Sequence, residues 1–373
     1  MNRRMATLGV AAAGVVAGAV GLGVLAAPAG AGQPPNLPAI SPAALVQSVI
    51  TAKPTAMGGT VEVDNNLGLP AIPDLPSQLT NGTSQIRMWT DGTGKARVSL
   101  PSNSAEQTYV DDGTTLYDWD STSKTVTENP AGEHARAGQT PSKDTGRELD
   151  PAAMAQQLVS QMQATSTIEV GGTDTVAGRP VYDLVLTPKA QEKTLLRQVQ
   201  ISIDSQTRLP LRVSVLANGS STPAVQVGFT SIDVGPQDPS LFTFAPPAGA
   251  TVTHGDSPNK QLGKATDQTA PTIVGSGWDT VIMAKLPAGT MTSGAGDSSG
   301  STNSGIPGRS SSSSRSASPM GLISQFGTPV SGSWGHGWVI NTSIATVLVT
   351  SDGQVVAGFV PEQVLISDLA GAK

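Results

Sequence analysis

Val181-Tyr-Asp-Leu-Val-Leu-Thr187 opens the stretch that decides the fold, and its Tyr182, Leu184 and Leu186 share one side of an extended chain. Residues 198–204 repeat this alternation, with an apolar side formed by Val199, Ile201 and Ile203. Two further runs repeat it again, with Leu211, Val213, Val215 and then Val225, Val227, Phe229 on the apolar side. A period of two is typical of half-buried strands, and turn sequences at residues 204–208 and 218–220 separate the runs. Four strands of an antiparallel meander are therefore predicted.

The same signals extend the meander toward the N-terminus. Strands are predicted at residues 59–65, 84–90, 95–100, 107–111, 114–119, 124–128 and 166–171. Two helices are predicted where a capping residue precedes a proline, at Ser41-Pro42 and Asp150-Pro151. The total is about ten or eleven strands with two helices, and a sheet of this size tends to curl. A proline-rich stretch at residues 69–76 is predicted to be a loop at its edge.

Three motifs follow one another along the chain: Asp111-Asp-Gly-Thr-Thr-Leu-Tyr-Asp-Trp-Asp120, Leu209-Pro-Leu-Arg212 after a strand and turn, and Leu241-Phe-Thr-Phe-Ala-Pro-Pro-Ala-Gly249. Together they resemble the lipoprotein-carrier and sigma-factor-regulator superfamily of LolA and RseB type, over about residues 41–253. The resemblance implies an α+β fold: a strongly curved antiparallel half-barrel with two covering helices. It further implies a non-catalytic protein that binds a lipid or lipidated protein, or, as in the RseB branch, an anti-sigma factor.

The apolar sides of the strands are the predicted ligand-binding cavity. Its residues are aliphatic with a single aromatic ring: Val61, Val63, Ile86, Met88, Val98, Leu100, Leu184, Leu186, Val199, Ile201, Ile203, Val213, Val215, Val227 and Phe229. An acyl chain would find such a lining compatible. The alternative is that these residues pack against the helices as an ordinary core.

The two helices are the predicted lid over this cavity. Their apolar positions are Leu45 and Val49 in the first helix and Met154, Leu158 and Met162 in the second. One feature departs from the family, whose barrel contains an arginine that closes the empty form. Arg87 is the nearest candidate here, but it alternates away from Ile86 and Met88.

The N-terminus indicates export. Arg3 and Arg4 precede an uncharged run rich in Ala, Gly and Val that ends at Ala29-Gly-Ala31, a pattern typical of a signal peptide. An uncleaved membrane anchor is the alternative, because the run is long enough to span a bilayer.

The chain has no cysteine, so no disulfide is available to it. Its net charge of −6 makes nucleic acid an unfavourable partner.

Five segments are predicted along the chain. Residues 1–31 form the signal peptide or anchor, 32–253 the half-barrel domain, 254–289 a connecting segment, 290–318 a Gly/Ser-rich linker, and 319–373 a small C-terminal α+β module. A helix is predicted around residues 278–286 and another at 320–326. Strands are predicted at 337–342, 345–350 and 354–360. The chain is expected to be a monomer. It is expected to be secreted or to lie in the cell envelope.

Catalytic and metal-binding patterns are weak. The three histidines, His134, His254 and His336, lie in polar or Gly-rich stretches without ligand spacing, so neither a metal nor a cofactor is expected. Ser121-Thr-Ser-Lys124 matches a serine-lysine pattern of penicillin-interacting enzymes, but it lies in a predicted turn where those enzymes need a helix start. Residues 332–338 hold two tryptophans among glycines, which indicates either a docking surface or the core of a small module.

Overall fold

The computed structural model describes residues 34–69, 82–101, 105–130, 151–255, 271–286, 323–324 and 326–371. The predicted signal peptide, the Gly/Ser-rich linker, most of the proline-rich loop and His134 lie outside these residues. Within them, the chain forms two sheets and three α-helices.

The larger sheet has twelve strands, in the spatial order β12-β6-β5-β4-β3-β2-β1-β11-β10-β9-β8-β7. Its strands are β1 (Met57–Asn65), β2 (Gly82–Thr90), β3 (Ala96–Pro101), β4 (Glu106–Asp111), β5 (Thr115–Asp120), β6 (Thr125–Pro130), β7 (Ser166–Val176), β8 (Arg179–Pro188), β9 (Leu196–Asp204), β10 (Pro210–Ala217), β11 (Pro223–Val234) and β12 (Thr251–His254). The first eleven pair antiparallel, and β12 lies parallel to β6 at one edge. The sheet is curved and open, as the half-barrel prediction requires.

Two helices pack together against one end of this sheet. Helix α1 (Pro42–Ile50) begins as predicted, because the Ser41 side chain accepts a hydrogen bond from the Ala44 N–H at 3.2 Å. Helix α2 (Pro151–Gln163) precedes β7 directly. Leu45 of α1 and Val159 of α2 contact Leu184 and Leu186 of β8 in one buried cluster. We call the side of the sheet that carries Leu184 and Leu186 the helix face.

The other end of the sheet buries its opposite face. Val110 and Val126 are fully buried there, although in the described residues neither α1 nor α2 packs on this end of the sheet. The segment after β11 covers this face instead: the Arg97 guanidinium donates to the Leu241 carbonyl at 3.5 Å, and the Phe244 ring lies 5.2 Å from the Tyr117 ring. The motif at residues 241–249 is thus a cover for β3 to β5.

The smaller sheet has six strands in the order β13-β14-β18-β17-β16-β15. They are β13 (Thr272–Val274), β14 (Val281–Lys285), β15 (Thr328–Gly332), β16 (Gly335–Asn341), β17 (Thr346–Thr350) and β18 (Gln354–Gly358), followed by helix α3 (Glu362–Gly371). Its core contains Val281, Leu348 and Val356 from the strands and Leu365 and Leu369 from α3, all fully buried.

The helix predicted around residues 278–286 is wrong, because this stretch contains β14. Val281 and Met283 are buried while Ile282 and Ala284 are exposed, so the packing follows the period of a strand. Residues 272–285, predicted as part of a connecting segment, pair into the second sheet next to β18. The helix predicted at 320–326 lies largely outside the described residues.

Candidate functional site

All fifteen predicted cavity residues lie on the helix face. The pairing register joins Leu184 to Ile201, Ile201 to Val213, Val213 to Val227 and Val227 to Val63. Paired residues of neighbouring strands point to the same side of a sheet, so these five form one continuous apolar row. The remaining ten flank this row on the same side: Val61, Ile86, Met88, Val98, Leu100, Leu186, Val199, Ile203, Val215 and Phe229.

Side chains on the helix face become more exposed from β8, beneath the helices, toward β1. Leu184 is 6% exposed beneath the helices, whereas Val227 in the middle of the row is 39% exposed. Val63, Val213, Ile86, Met88 and Val98 are half-buried. An aliphatic strip on β10, β11, β1, β2 and β3 is therefore left partly accessible to solvent. We call it the open strip.

The lid residues divide into packed and exposed positions. Leu45 is fully buried, and Val49 and Met162 pack against the same cluster. Leu158 is 43% exposed, because α2 buries Ala155 and Val159 instead. Residues four apart drift by about 40° around a helix, so a predicted stripe of every fourth residue runs off the packed side. The Met154 side chain lies outside the described residues.

A separate cavity of about 140 Å³ lies where the β7–β8 hairpin approaches β11. Glu62, Arg212 and Gln226 line it with polar groups, and of the predicted cavity residues only Phe229 contributes to it. Arg212 pairs with Asp174 at 2.5 Å across the two strands between them, which shows how strongly the sheet curls at this corner. Glu62, Arg212 and Gln226 point to the opposite face from the open strip, so the polar part of this cavity is separate from the strip.

The remaining polar candidates have structural roles in the described residues. The Ser121 hydroxyl oxygen accepts a hydrogen bond from the Glu106 N–H at 2.7 Å, inside the turn between β5 and β6. Asp112 accepts from the N–H groups of Thr114 and Thr115. Its burial alone would raise its pKa, but these hydrogen bonds hold the pKa below the ordinary value. No three His, Asp or Glu side chains group as metal ligands in the described part.

The structure also shows on which sheet faces Arg87 and the two tryptophans lie. Arg87 lies on the opposite face, half-exposed, with its guanidinium 3.6 Å from the Glu106 carboxylate. Trp334 is 4% exposed in the core of the second sheet, whereas Trp338 is half-buried on the other side of that sheet. The glycine-rich motif thus contributes one ring to the module's core.

Residues 117–256 match the family model of the MucB/RseB N-terminal domain, from β5 to just past β12. The part of the twelve-stranded domain within this match is similar to the MucB/RseB family. The match confirms the family resemblance of the sequence and covers the later part of the predicted span of residues 41–253. Because members of the MucB/RseB and LolA-like families are periplasmic, the similarity supports an extracytoplasmic location.

The chain is also similar, at low identity, to solved structures. MucB of Pseudomonas aeruginosa, in its complex with MucA, aligns with 87% of this chain and 94% of its own, at 16% identity and a TM-score of 0.40. A LolA superfamily protein from Nitrosomonas europaea aligns with 55% of this chain and 99% of its own, at 10% identity and a TM-score of 0.22. No curated protein sequence matches the chain. None of the described helices has the length and apolar content needed to cross a bilayer.

Proposed function

We propose that this chain is an extracytoplasmic regulator of RseB type that binds the extracytoplasmic segment of an anti-sigma factor on its open strip. The match of residues 117–256 to the MucB/RseB N-terminal domain carries the proposal. The predicted signal peptide is consistent with such a location, and the similar MucB structure is itself a complex with MucA.

The open strip supports binding because it presents a continuous apolar row next to water. Val227 is 39% exposed between Val213 and Val63, so covering its remaining exposed surface gains only part of the about 1.5–3 kcal/mol that complete burial of a fully exposed valine gains. A segment of the partner with apolar side chains along one side would cover this row. Helices α1 and α2 are proposed to act as a lid that shifts when the strip is occupied.

Binding of a lipid or lipidated protein is the second proposal, and the aliphatic character of the strip favours it. A chain of roughly sixteen carbons costs on the order of 10 kcal/mol to leave in water, at about 0.8 kcal/mol per methylene. Organic extraction of the freshly purified protein, followed by mass spectrometry, separates the two proposals. Co-purified lipid favours the carrier, whereas a lipid-free protein that binds a membrane regulator favours the RseB type.

A pair of charge substitutions on β11 tests the site. Val227→Asp places a carboxylate in the open strip, while Ser231→Asp places one on the opposite face of the same strand, where Ser231 pairs with Thr60. Both positions are exposed, so both variants are expected to fold. The immobilised full-length chain is first used to capture the anti-sigma factor from solubilised membranes, and Kd values are then measured with the purified partner. We expect Val227→Asp to weaken binding at least about tenfold and Ser231→Asp to leave Kd unchanged. Equal Kd values for both variants would reject the open strip as the binding site.

A further inference from the structure

Three connections of the second sheet meet the large sheet at one junction. The Phe359 carbonyl accepts hydrogen bonds from the Leu195 N–H at 2.8 Å and from the Thr194 hydroxyl at 2.7 Å. The Ser343 N–H donates to the Leu67 carbonyl at 3.0 Å. These contacts join the end of β18 and the turn between β16 and β17 to the loops that precede β9 and follow β1 of the large sheet.

Trp278, in the connection between β13 and β14, forms the third contact. Its backbone N–H donates to the Glu192 carboxylate at 3.0 Å, and its indole N–H donates to the Ser166 hydroxyl at 2.7 Å. The ring packs against two hydrophobic clusters, the one under α1 and α2 and the one around Leu196 and Ile344. The second sheet therefore reaches the point where α2 ends and β7 begins.

The loop that receives these contacts also holds the C-terminus of α2. The Lys189 ammonium donates to the carbonyls of Gln163 and Ala164, at 2.5 Å and 3.1 Å. The Lys189 N–H donates to the Thr165 carbonyl at 2.9 Å. The last carbonyls of a helix have no partners within the helix, and a cation at this end also interacts favourably with the helix dipole. Lys189 thus fixes where α2 ends.

We propose that residues 189–195, which we call the coupling loop, transmit the position of the second sheet to helix α2. One end of the loop holds α2 through Lys189, and the other end holds the second sheet through Glu192, Thr194 and Leu195. Loosening either contact therefore loosens the other, because a coupling free energy between two sites acts equally in both directions. This coupling exists in the unliganded chain and does not depend on what the open strip binds.

Amide hydrogen exchange in two single variants tests the coupling. Thr194→Val removes the hydroxyl that donates to the Phe359 carbonyl and accepts from the Leu196 N–H, while Lys189→Met removes the ammonium and keeps the aliphatic stem. We expect Thr194→Val to raise exchange in α2 (Pro151–Gln163), and Lys189→Met to raise exchange in β14 and β18. Each increase is expected to be roughly two- to tenfold, the lower part of the range of pairwise coupling between residues in one network.

The control is Thr167→Val, an exposed position of β7 that lies nearer to α2 than Thr194 does in the sequence. It should leave exchange in β14 and β18 unchanged. If Thr194→Val fails to fold, Trp278→Phe serves instead, because it keeps an aromatic ring and loses only the donor to Ser166. The proposal is overturned if Thr194→Val, or Trp278→Phe in its place, raises exchange only in the second sheet and Lys189→Met raises exchange only in α2.

Discussion

Asp204 is a buried and fully hydrogen-bonded charge of the large sheet. Its carboxylate, fully buried, accepts hydrogen bonds from the Arg179 guanidinium at 2.8 and 3.0 Å and from the Thr207 N–H and hydroxyl at 2.7 and 2.6 Å. Burial alone would raise the pKa of Asp204, but the hydrogen bonds from Arg179 and Thr207 and the charge of Arg179 hold the pKa below its ordinary value. The turn between β9 and β10 is thereby fixed.

Asp204→Asn is expected to cost about 3 kcal/mol of unfolding free energy at neutral pH, because Arg179 loses its charged partner. A depressed pKa gives stability that is fully present above the unfolded value of about 3.9 and is lost as the pH falls through the folded value. The advantage of the native chain over Asp204→Asn should therefore shrink below about pH 4. Urea unfolding of both chains at pH 7, 5 and 3 measures this difference in unfolding free energy. As a control, Asp174→Asn should cost less than about 1 kcal/mol, because Asp174 is half-exposed. A pH-independent difference for Asp204→Asn would contradict this account.

Lys124 has a φ of 53° in the turn between β5 and β6, a left-handed conformation that side chains disfavour. Lys124→Gly is expected to raise the unfolding free energy by about 0.5–1 kcal/mol, since glycine adopts this φ without strain. Lys124→Ala keeps the Cβ and should give little or no gain. Urea unfolding of both variants distinguishes relief of strain from loss of the lysine charge. Equal stabilisation by both would attribute the effect to charge.

At the scale of elements, alternation in the sequence predicts most strands of the large sheet, because its two faces differ in polarity and the register follows the apolar side. The alternation also places the fifteen apolar residues on one face. It does not predict β12, since Thr251, Val252, Thr253 and His254 are all exposed and carry no apolar pattern. Nor does it predict β14, where a short apolar run fits a helix and a strand equally well.

The two leucines of the predicted lid give a matched pair. Leu45 of α1 is fully buried, whereas Leu158 of α2 is 43% exposed. Leu45→Ala should therefore cost about 2–5 kcal/mol of unfolding free energy through lost burial and a cavity. Leu158→Ala should cost less than about 0.5 kcal/mol, as surface substitutions usually do. Thermal unfolding of both variants provides the measurement, and similar losses would mean that α2 packs through a different side.

At the scale of the whole molecule, the second sheet combines strands from both sides of the predicted linker. β13 and β14 precede residues 290–318, and β15 to β18 follow them. Pairing between segments so far apart in the chain leaves no local pattern, so the sequence predicts three strands here and misses the others. The sequence also does not predict the junction between the two sheets, because its residues come from distant parts of the chain. Its signal is Gly277-Trp278, where a glycine allows close approach beside a large ring.

Two glycines with similar backbone angles test how much this junction stabilises the fold. Gly277 has a φ of 70° and Gly178 a φ of 78°. A Cβ on Gly277 would lie 2.5 Å from the Thr165 Cγ2, whereas a Cβ on Gly178 would meet nothing within 4 Å. Gly178→Ala should cost about 1 kcal/mol for the backbone alone, and Gly277→Ala at least about 1 kcal/mol more for the overlap. Equal losses in denaturant unfolding would indicate that the junction yields without cost.

The central claim, that a partner covers the open strip, is tested most directly by photo-crosslinking in the native cell. A benzophenone amino acid replaces Val227 on the helix face or, in a second strain, Ser231 on the opposite face. After illumination, adducts are identified by mass spectrometry. The account predicts that the Val227 position yields an adduct with the extracytoplasmic segment of a membrane protein that binds a sigma factor, and that the Ser231 position does not. The same adducts from both positions, or none from Val227, would contradict it.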